Sequence, residues 1–325
     1  MGRPIYTSVF ANEMNAYLEY KVSSGFKEKN YWHYLQKFDR FSIEHTLKSL
    51  SFTRELAEEW IKKCKDESTL THYFRINAIK KFLIYMSKKG LDVFITRDIA
   101  YKKTQFQPHI YTEDEIKRYF EAVDTFDSNR NNKDKLQHPV LFRILYCCGT
   151  RINETLNIRK KDVDLDEGII KLIETKNGCE RYIILGDDLS LLMRKFASKS
   201  FYLLNDNDNI FTSNNGGKLS GSTIREHHRL FLKKAGISFL GGGEGPRIQD
   251  FRHSFSVYSF KQMLDAGIDM YVALPILSTY LGHKTIFATE HYVRLTMSIF
   301  PYIEEKFKDK LDKVFTHMGV DYENN

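Results

Sequence analysis

No apolar run in the chain approaches the roughly 20 residues that a membrane-crossing helix needs. No apolar segment follows a basic start at the N-terminus either. These two absences argue against a membrane or exported protein and lead us to expect a cytoplasmic one. Cysteine is scarce. Cys64, Cys147, Cys148 and Cys179 form no CxxC pair and have no histidine partners at zinc spacing. Buried thiols therefore explain them better than a disulfide framework or a metal site. The carboxylates show no cluster suited to a divalent ion, so no metal and no cofactor is expected. The glycine-rich run at 241–246, "GGGEGP", lacks the Lys-Ser/Thr of a phosphate loop and reads as a flexible connection. No internal repeat is present.

What remains is a chain of 325 residues, 42% hydrophobic and 28% charged, long enough for two domains with good cores. The net charge of +7 is unevenly spread. Residues 1–107 hold 19 lysines and arginines against 12 acidic residues, whereas the other 218 hold 30 of each. A polyanion suits such a basic segment, because each neutralised phosphate releases counterions. A solvated helical surface is the plainer alternative.

The first hundred residues read as four helices. Apolar positions recur at helical spacing through Val9, Phe10, Met14, Tyr17 and Leu18, and again through Tyr31, Tyr34, Leu35 and Phe38. A third helix is expected from Thr53 to Lys65, and a fourth, "THYFRINAIKKFLIYMSKKG", stops at Gly90. Arg75, Lys80, Lys81, Lys88 and Lys89 of the fourth are expected on its exposed side, where they could track a phosphate backbone. The polar stretch Lys102–His109 has no helical period and reads as a linker. A second domain opens with a capping box, Thr112 and Glu115, and continues into the apolar helix "PVLFRILYCCG". Residues 169–185 alternate β-branched residues around Asn177-Gly178, a hairpin signal. From Ser222 the pattern is helical again.

Several residues carry both a structural and a chemical reading. Arg151 could simply pair with Glu154, Lys176 could be an exposed turn residue, and Arg252 and His253 could pair with Asp250. Tyr292 could be core. It lies nine residues after His283, about 900° along an unbroken helix, which would put the two on opposite faces. They share one site only if the chain breaks between them. Gly282 is a plausible helix stop and Thr285 a plausible N-cap. Taken together, two arginines, a turn lysine, a histidine and a tyrosine suit displacement at a phosphodiester. Guanidiniums clamp the charged oxygens, an ammonium protonates the leaving oxygen, and a phenol attacks to form an ester that keeps bond energy for religation.

The boxes also resemble those of the tyrosine recombinases, the phage-integrase and Xer-type family, and they occur in that family's order over about residues 109–295. "CGTRINETL" is similar to the first arginine box, with Arg151 and a supporting Glu154. "TKNGCERYIIL" is similar to the hairpin carrying Lys176. "QDFRHSF" resembles the His-x-x-Arg box with Arg252, but Gln249 stands where the family has histidine. "YLGHKTIFATEHYVR" resembles the closing box with His283 and the nucleophile Tyr292. The N-terminal part resembles the family's core-binding domain in helix count and charge alone.

The resemblance implies a mainly α fold with a small antiparallel sheet (α+β). It implies a core DNA-binding domain at 1–103, a linker at 104–109 and a catalytic domain at 110–325. The implied activity is site-specific DNA recombination or integration through a 3′-phosphotyrosine and a Holliday junction, without metal or ATP. Arg151, Arg252, His283 and Gln249 would hold the phosphate and Lys176 would protonate the 5′-oxygen. Implied partners are double-stranded core sites with inverted repeats, three further copies in a homotetramer on DNA, and accessory DNA-bending proteins. A monomer free in solution and a nucleoid-associated location follow. An amphipathic stripe at 297–317 (Phe300, Ile303, Phe307, Leu311, Phe315) is expected to dock on a neighbouring protomer or on its own domain. The chain starts almost directly with the core-binding helices, so no arm-binding domain is expected. The lysine-, asparagine-, isoleucine- and phenylalanine-rich composition suggests an AT-rich bacterial genome or a mobile element. The competing readings are a type IB topoisomerase-like relaxing enzyme, a DNA-binding protein with a weakened site, and a basic helical scaffold for acidic proteins.

Overall fold

The computed structural model describes residues 3–100, 107–126, 132–173, 180–239, 241, 245–283, 285, 289, 292, 296, 299 and 300. Lys176, Cys179, the first part of the 104–109 segment and nearly all of the 297–317 stripe lie outside them. The chain divides into two compact units, Met1–Phe106 and Gln107–Asn325. No helix among the described residues is long and apolar enough to cross a membrane.

The first unit holds four helices: α1 (Ala11–Ser23), α2 (Lys29–Glu44), α3 (Arg54–Ile61) and α4 (Thr69–Lys88). Thr53 and Ser68 start α3 and α4 by accepting hydrogen bonds from Leu56 N and Thr71 N. Phe38 is the hub of the core, with its ring 5.3–5.8 Å from those of Phe10, Phe52, Trp60 and Phe82. Asp39 secures the entering chain by accepting from Thr7 N and Ser8 N at 3.0 and 2.9 Å.

Two expectations fail here. The third helix stops at Ile61, short of Lys65, and Arg75 is not on the exposed side of α4. It is 3% exposed and paired with the buried Glu67. Its guanidinium donates to both Glu67 oxygens at 2.8 Å, to Trp60 O at 2.6 Å and to Lys62 O at 2.9 Å. The two corrections have one cause, because the carbonyls at the end of α3 are taken by Arg75 rather than by a further helical turn. Of the lysines, Lys81 and Lys88 are exposed, Lys80 pairs with Asp98 at 2.7 Å and Lys89 pairs with Glu13. The thiols also differ from expectation. Cys148, just past the end of α6, is buried in the core, but Cys64 and Cys147 are exposed.

In the second unit, α5 (Glu113–Asp124) begins with the expected capping box and α6 (Asn132–Cys147) follows. Next come the short α7 (Ile152–Leu156) and strands β1 (Val163–Asp164), β2 (Ile169–Leu172) and β3 (Arg181–Ile184). The helices α8 (Asp187–Ser200), α9 (Gly221–Lys234), α10 (Ile248–Asp265) and α11 (Met270–Leu281) complete it. The sheet is antiparallel in order β1-β2-β3, with Ile170 opposite Ile183 and Leu172 opposite Arg181. Its alternation sends Ile170, Leu172 and Ile183 into a core shared with Tyr119, Phe142, Phe231 and Phe251. The fold is thus mainly helical with one small antiparallel sheet.

Arg75→Ala would strand the Glu67 carboxylate inside the first unit, at a cost of about 3–5 kcal/mol. Lys81→Ala, at an exposed position, should stay within about 0.5 kcal/mol. Thermal and urea unfolding of the full chain distinguish the two, and equal effects would refute the buried pairing.

Candidate active site

The site is built where helix ends meet. After α6 the chain turns through Gly149 at φ 57°, and a Cβ there would lie 2.4 Å from Phe255 Cδ1, so only glycine fits. The turn aims Gly149 O at Arg252 of α10 and delivers Arg151 to the start of α7. At the far side, α11 closes on Gly282 at φ 65°, with Gly282 N donating to Thr279 O and His283 N to Ser278 O. His283 therefore leaves the helix, which is the break that the nine-residue separation demanded.

Arg252 is 1% exposed. Its guanidinium donates to Gly149 O at 2.8 Å, to Leu281 O at 2.6 Å and to His283 Nε2 at 3.0 Å. An arginine nitrogen only donates, so His283 Nε2 presents its lone pair and the ring proton sits on Nδ1, 2.9 Å from Thr289 Oγ1. Burial, then the charges of Arg252, Arg151 and Arg181, pushes the His283 pKa down to about 4. Burial and the Arg151 charge likewise lower Arg252 to about 10.

Glu154 is the carboxylate of this cluster. It is 3% exposed and accepts from Arg151 N at 3.1 Å, from an Arg151 Nη at 2.7 Å and from an Arg181 Nη at 2.8 Å. Burial raises its pKa, but the two arginines outweigh that and hold it below the usual carboxylate range. Two guanidiniums thus share one carboxylate while the third, Arg252, has none, and the surplus positive charge favours an anion.

Tyr292 is 4% exposed. Its ring lies parallel to that of His283, with centroids 5.9 Å apart and planes 9° apart, and 5.4 Å from the ring of His253. It belongs to a buried apolar cluster with Phe260, Leu264, Leu277 and Leu281. The structure therefore brings together Arg151, Glu154, Arg252, His283 and Tyr292. Gln249 faces a cavity of about 510 Å³ beside them, lined also by Ile152, Arg225, Arg229 and Arg247. Lys176 lies outside the described residues, between β2 and β3.

Sequence reasoning missed Arg181. A charged residue at an inward position of β3, in phase with Ile183, must find a buried partner, and Glu154 is that partner. Its Nε and one Nη make no hydrogen bond among the described residues. Asp250 is fully buried and accepts from Arg247 N at 2.8 Å. Burial keeps its carboxyl above the usual range despite that arginine.

Because the folded state holds His283 well below its ordinary 6.5, the unfolded chain takes up that proton first as pH falls. The stability contribution of neutral His283 is present above pH 6.5 and should be lost between there and about pH 4. In an NMR titration with the histidine resonances assigned by substitution, the His283 imidazole should titrate near 4 and move up in Arg252→Ala. Titration near 6.5 in the wild type would refute the assignment.

The phage integrase family's sequence profile matches residues 110–298. The integrase/recombinase y4rB of Sinorhizobium fredii is 25% identical over 301 residues, covering 88% of this chain and 93% of its own. Tyrosine recombinase XerC of Staphylococcus saprophyticus is 24% identical over 286 residues, covering 81% and 90%. Among solved structures, the XerH site-specific recombinase bound to palindromic difH substrate in a post-cleavage complex shares the fold. Its TM-score is 0.63 at 19% identity, over 86% of this chain and 78% of that one. Matched over more than half its length by the family profile, the chain belongs to the phage integrase family, the tyrosine recombinases.

Proposed function

We propose that this recombinase cuts and rejoins duplex DNA at a defined site, with Tyr292 as nucleophile and the Arg151–Arg181–Arg252 cluster as the phosphate clamp. The observation that carries the reading is the excess of guanidinium over carboxylate beside a histidine whose ring stacks on Tyr292. Three N–H groups of Arg252 are engaged by the protein among the described residues, which leaves two for non-bridging phosphate oxygens. Arg151 supplies the second guanidinium, and Glu154 orients it together with Arg181. Gln249 donates a hydrogen bond where a family histidine would stand.

The phenolic oxygen of Tyr292 bonds to phosphorus as the P–O5′ bond breaks, and Lys176 gives the departing 5′-oxygen its proton. The 3′-phosphotyrosyl ester keeps the energy of the broken bond, so a 5′-hydroxyl from a second duplex can reverse the step without ATP. Repeated on both strands by four protomers, the exchange passes through a Holliday junction. Tyr292 is covered in the isolated chain, so its attack follows displacement of the segment that carries it. The exposed Lys81 and Lys88 add backbone contacts from the first unit.

DNA captured covalently in cells and resynthesised with a nick supplies the substrate. Wild type should form a denaturant-stable adduct and exchange strands, whereas Tyr292→Phe should form none. Arg151→Ala and Arg252→Ala should lose at least about 10²-fold in cleavage rate. Salt-sensitive binding without any adduct would leave a DNA-binding protein. Relaxation without exchange would make the enzyme topoisomerase-like, and binding with little salt dependence would favour an acidic protein partner.

Lys176→Ala should slow cleavage by about 10²–10⁴-fold and recover on a substrate with a 5′-bridging sulfur, a leaving group that needs no proton. Failure to recover would remove the acid role from Lys176.

A further inference from the structure

Away from the phosphate pocket, α6 and α9 are joined by two imidazoles and a carboxylate. Asp134 and His138 are four residues apart on α6 and so share a face, and His227 of α9 meets them. His138 is fully buried, while Asp134 and His227 are half-buried. His138 Nε2 lies 3.1 Å from His227 Nδ1 and 3.6 Å from Asp134 Oδ1, and the three ligand atoms all lie within 4.8 Å of one another. Gln137 Nε2 donates to Asp134 Oδ1 at 3.0 Å and fixes the carboxylate. The ring of Phe126 sits 5.7 Å from each histidine and that of Phe231 5.8 Å from His138, which makes one side of the cluster apolar.

We propose that Asp134, His138 and His227 bind one divalent first-row transition ion, zinc by its chemistry, that staples α6 to α9. Ligand atoms about 2.0 Å from a tetrahedral zinc stand about 3.3 Å apart, close to the two distances observed here. Two imidazole nitrogens and one carboxylate oxygen select zinc or cobalt over magnesium and calcium, which prefer all-oxygen shells. In the metal-free pair the two facing nitrogens share one proton. A cation takes both lone pairs instead, with the ring proton of His138 on Nδ1, which makes no hydrogen bond among the described residues. None of the three residues belongs to the phosphate pocket, so the site stands or falls independently of the recombinase mechanism.

The test uses the untagged full chain stripped of metal. Cobalt(II) should bind with one equivalent and give the strong visible bands of a four-coordinate ion. Zinc, measured by competition with a chromophoric chelator, should displace it and raise the Tm. His227→Ala and Asp134→Ala should each weaken binding at least tenfold, about the least that losing a direct ligand costs when an outer-shell partner already costs 10–100-fold. Both variants alter part-exposed residues, and circular dichroism checks that each stays folded. The proposal is overturned if wild type shows no such bands and no zinc affinity, or if its binding survives both substitutions. In the first case the cluster is a plain histidine–histidine–aspartate hydrogen-bond chain.

Discussion

A guanidinium sealed from water is expensive unless its donors are met, and Arg252 shows how this chain meets them. Carbonyls at two helix ends, Gly149 O after α6 and Leu281 O closing α11, take its N–H groups together with His283. Neutral oxygens satisfy hydrogen bonds without cancelling charge. The nearby carboxylate, Glu154, is already divided between Arg151 and Arg181. The pocket thus folds with its hydrogen bonds largely made and its charge uncompensated. That combination is what an anion site requires: cations fixed before the ligand arrives, with no reorganisation left to do when negative charge develops.

The same fixture dictates local backbone. Gly149 must adopt a positive φ beside the Phe255 ring, and Gly282 must end α11 where a Cβ would stand 3.2 Å from an Arg181 Nη. A side chain at either position would move a carbonyl that holds Arg252, or the arginine that holds Glu154. The glycines therefore serve the charge cluster as much as the turns. Arg75 in the first unit follows the same rule with a different outcome, because its partner Glu67 neutralises it and leaves no site behind.

Legibility followed periodicity and spacing. The four N-terminal helices, the Thr112–Glu115 box, the hairpin around Asn177-Gly178 and the stop at Gly282 each rest on short-range signals that local physics enforces. The boxes around Arg151, Arg252, His283 and Tyr292 could be named because their chemistry and their order are both unusual. The charge of Arg75 points to the solvent face of α4, but its helical period does not. Ile79, Phe82 and Met86 stand four, seven and eleven residues on, which places position 75 on the core face. Arg181 was overlooked for the converse reason, since an inward strand position is visible only once the register is fixed. Its partner lies 27 residues away on a short helix, and nothing in a local pattern pairs them. The cluster of Asp134, His138 and His227 joins residues 89 apart and was equally hidden.

If Tyr292 attacks as proposed, the bonding around it narrows how its proton can leave. His283, the ring stacked on it, gives its Nε2 lone pair to Arg252 and carries its proton on Nδ1 toward Thr289. In that state it has no lone pair to offer a phenol, and its pKa of about 4 makes it a poor acceptor even when released. Gln249 cannot exchange a proton near neutral pH. His253 is the other imidazole against the Tyr292 ring, and its Nε2 lies 3.9 Å from the buried Asp250. Acceptance by His283 requires the Arg252 contact to open first, which an incoming phosphate competing for that guanidinium would accomplish.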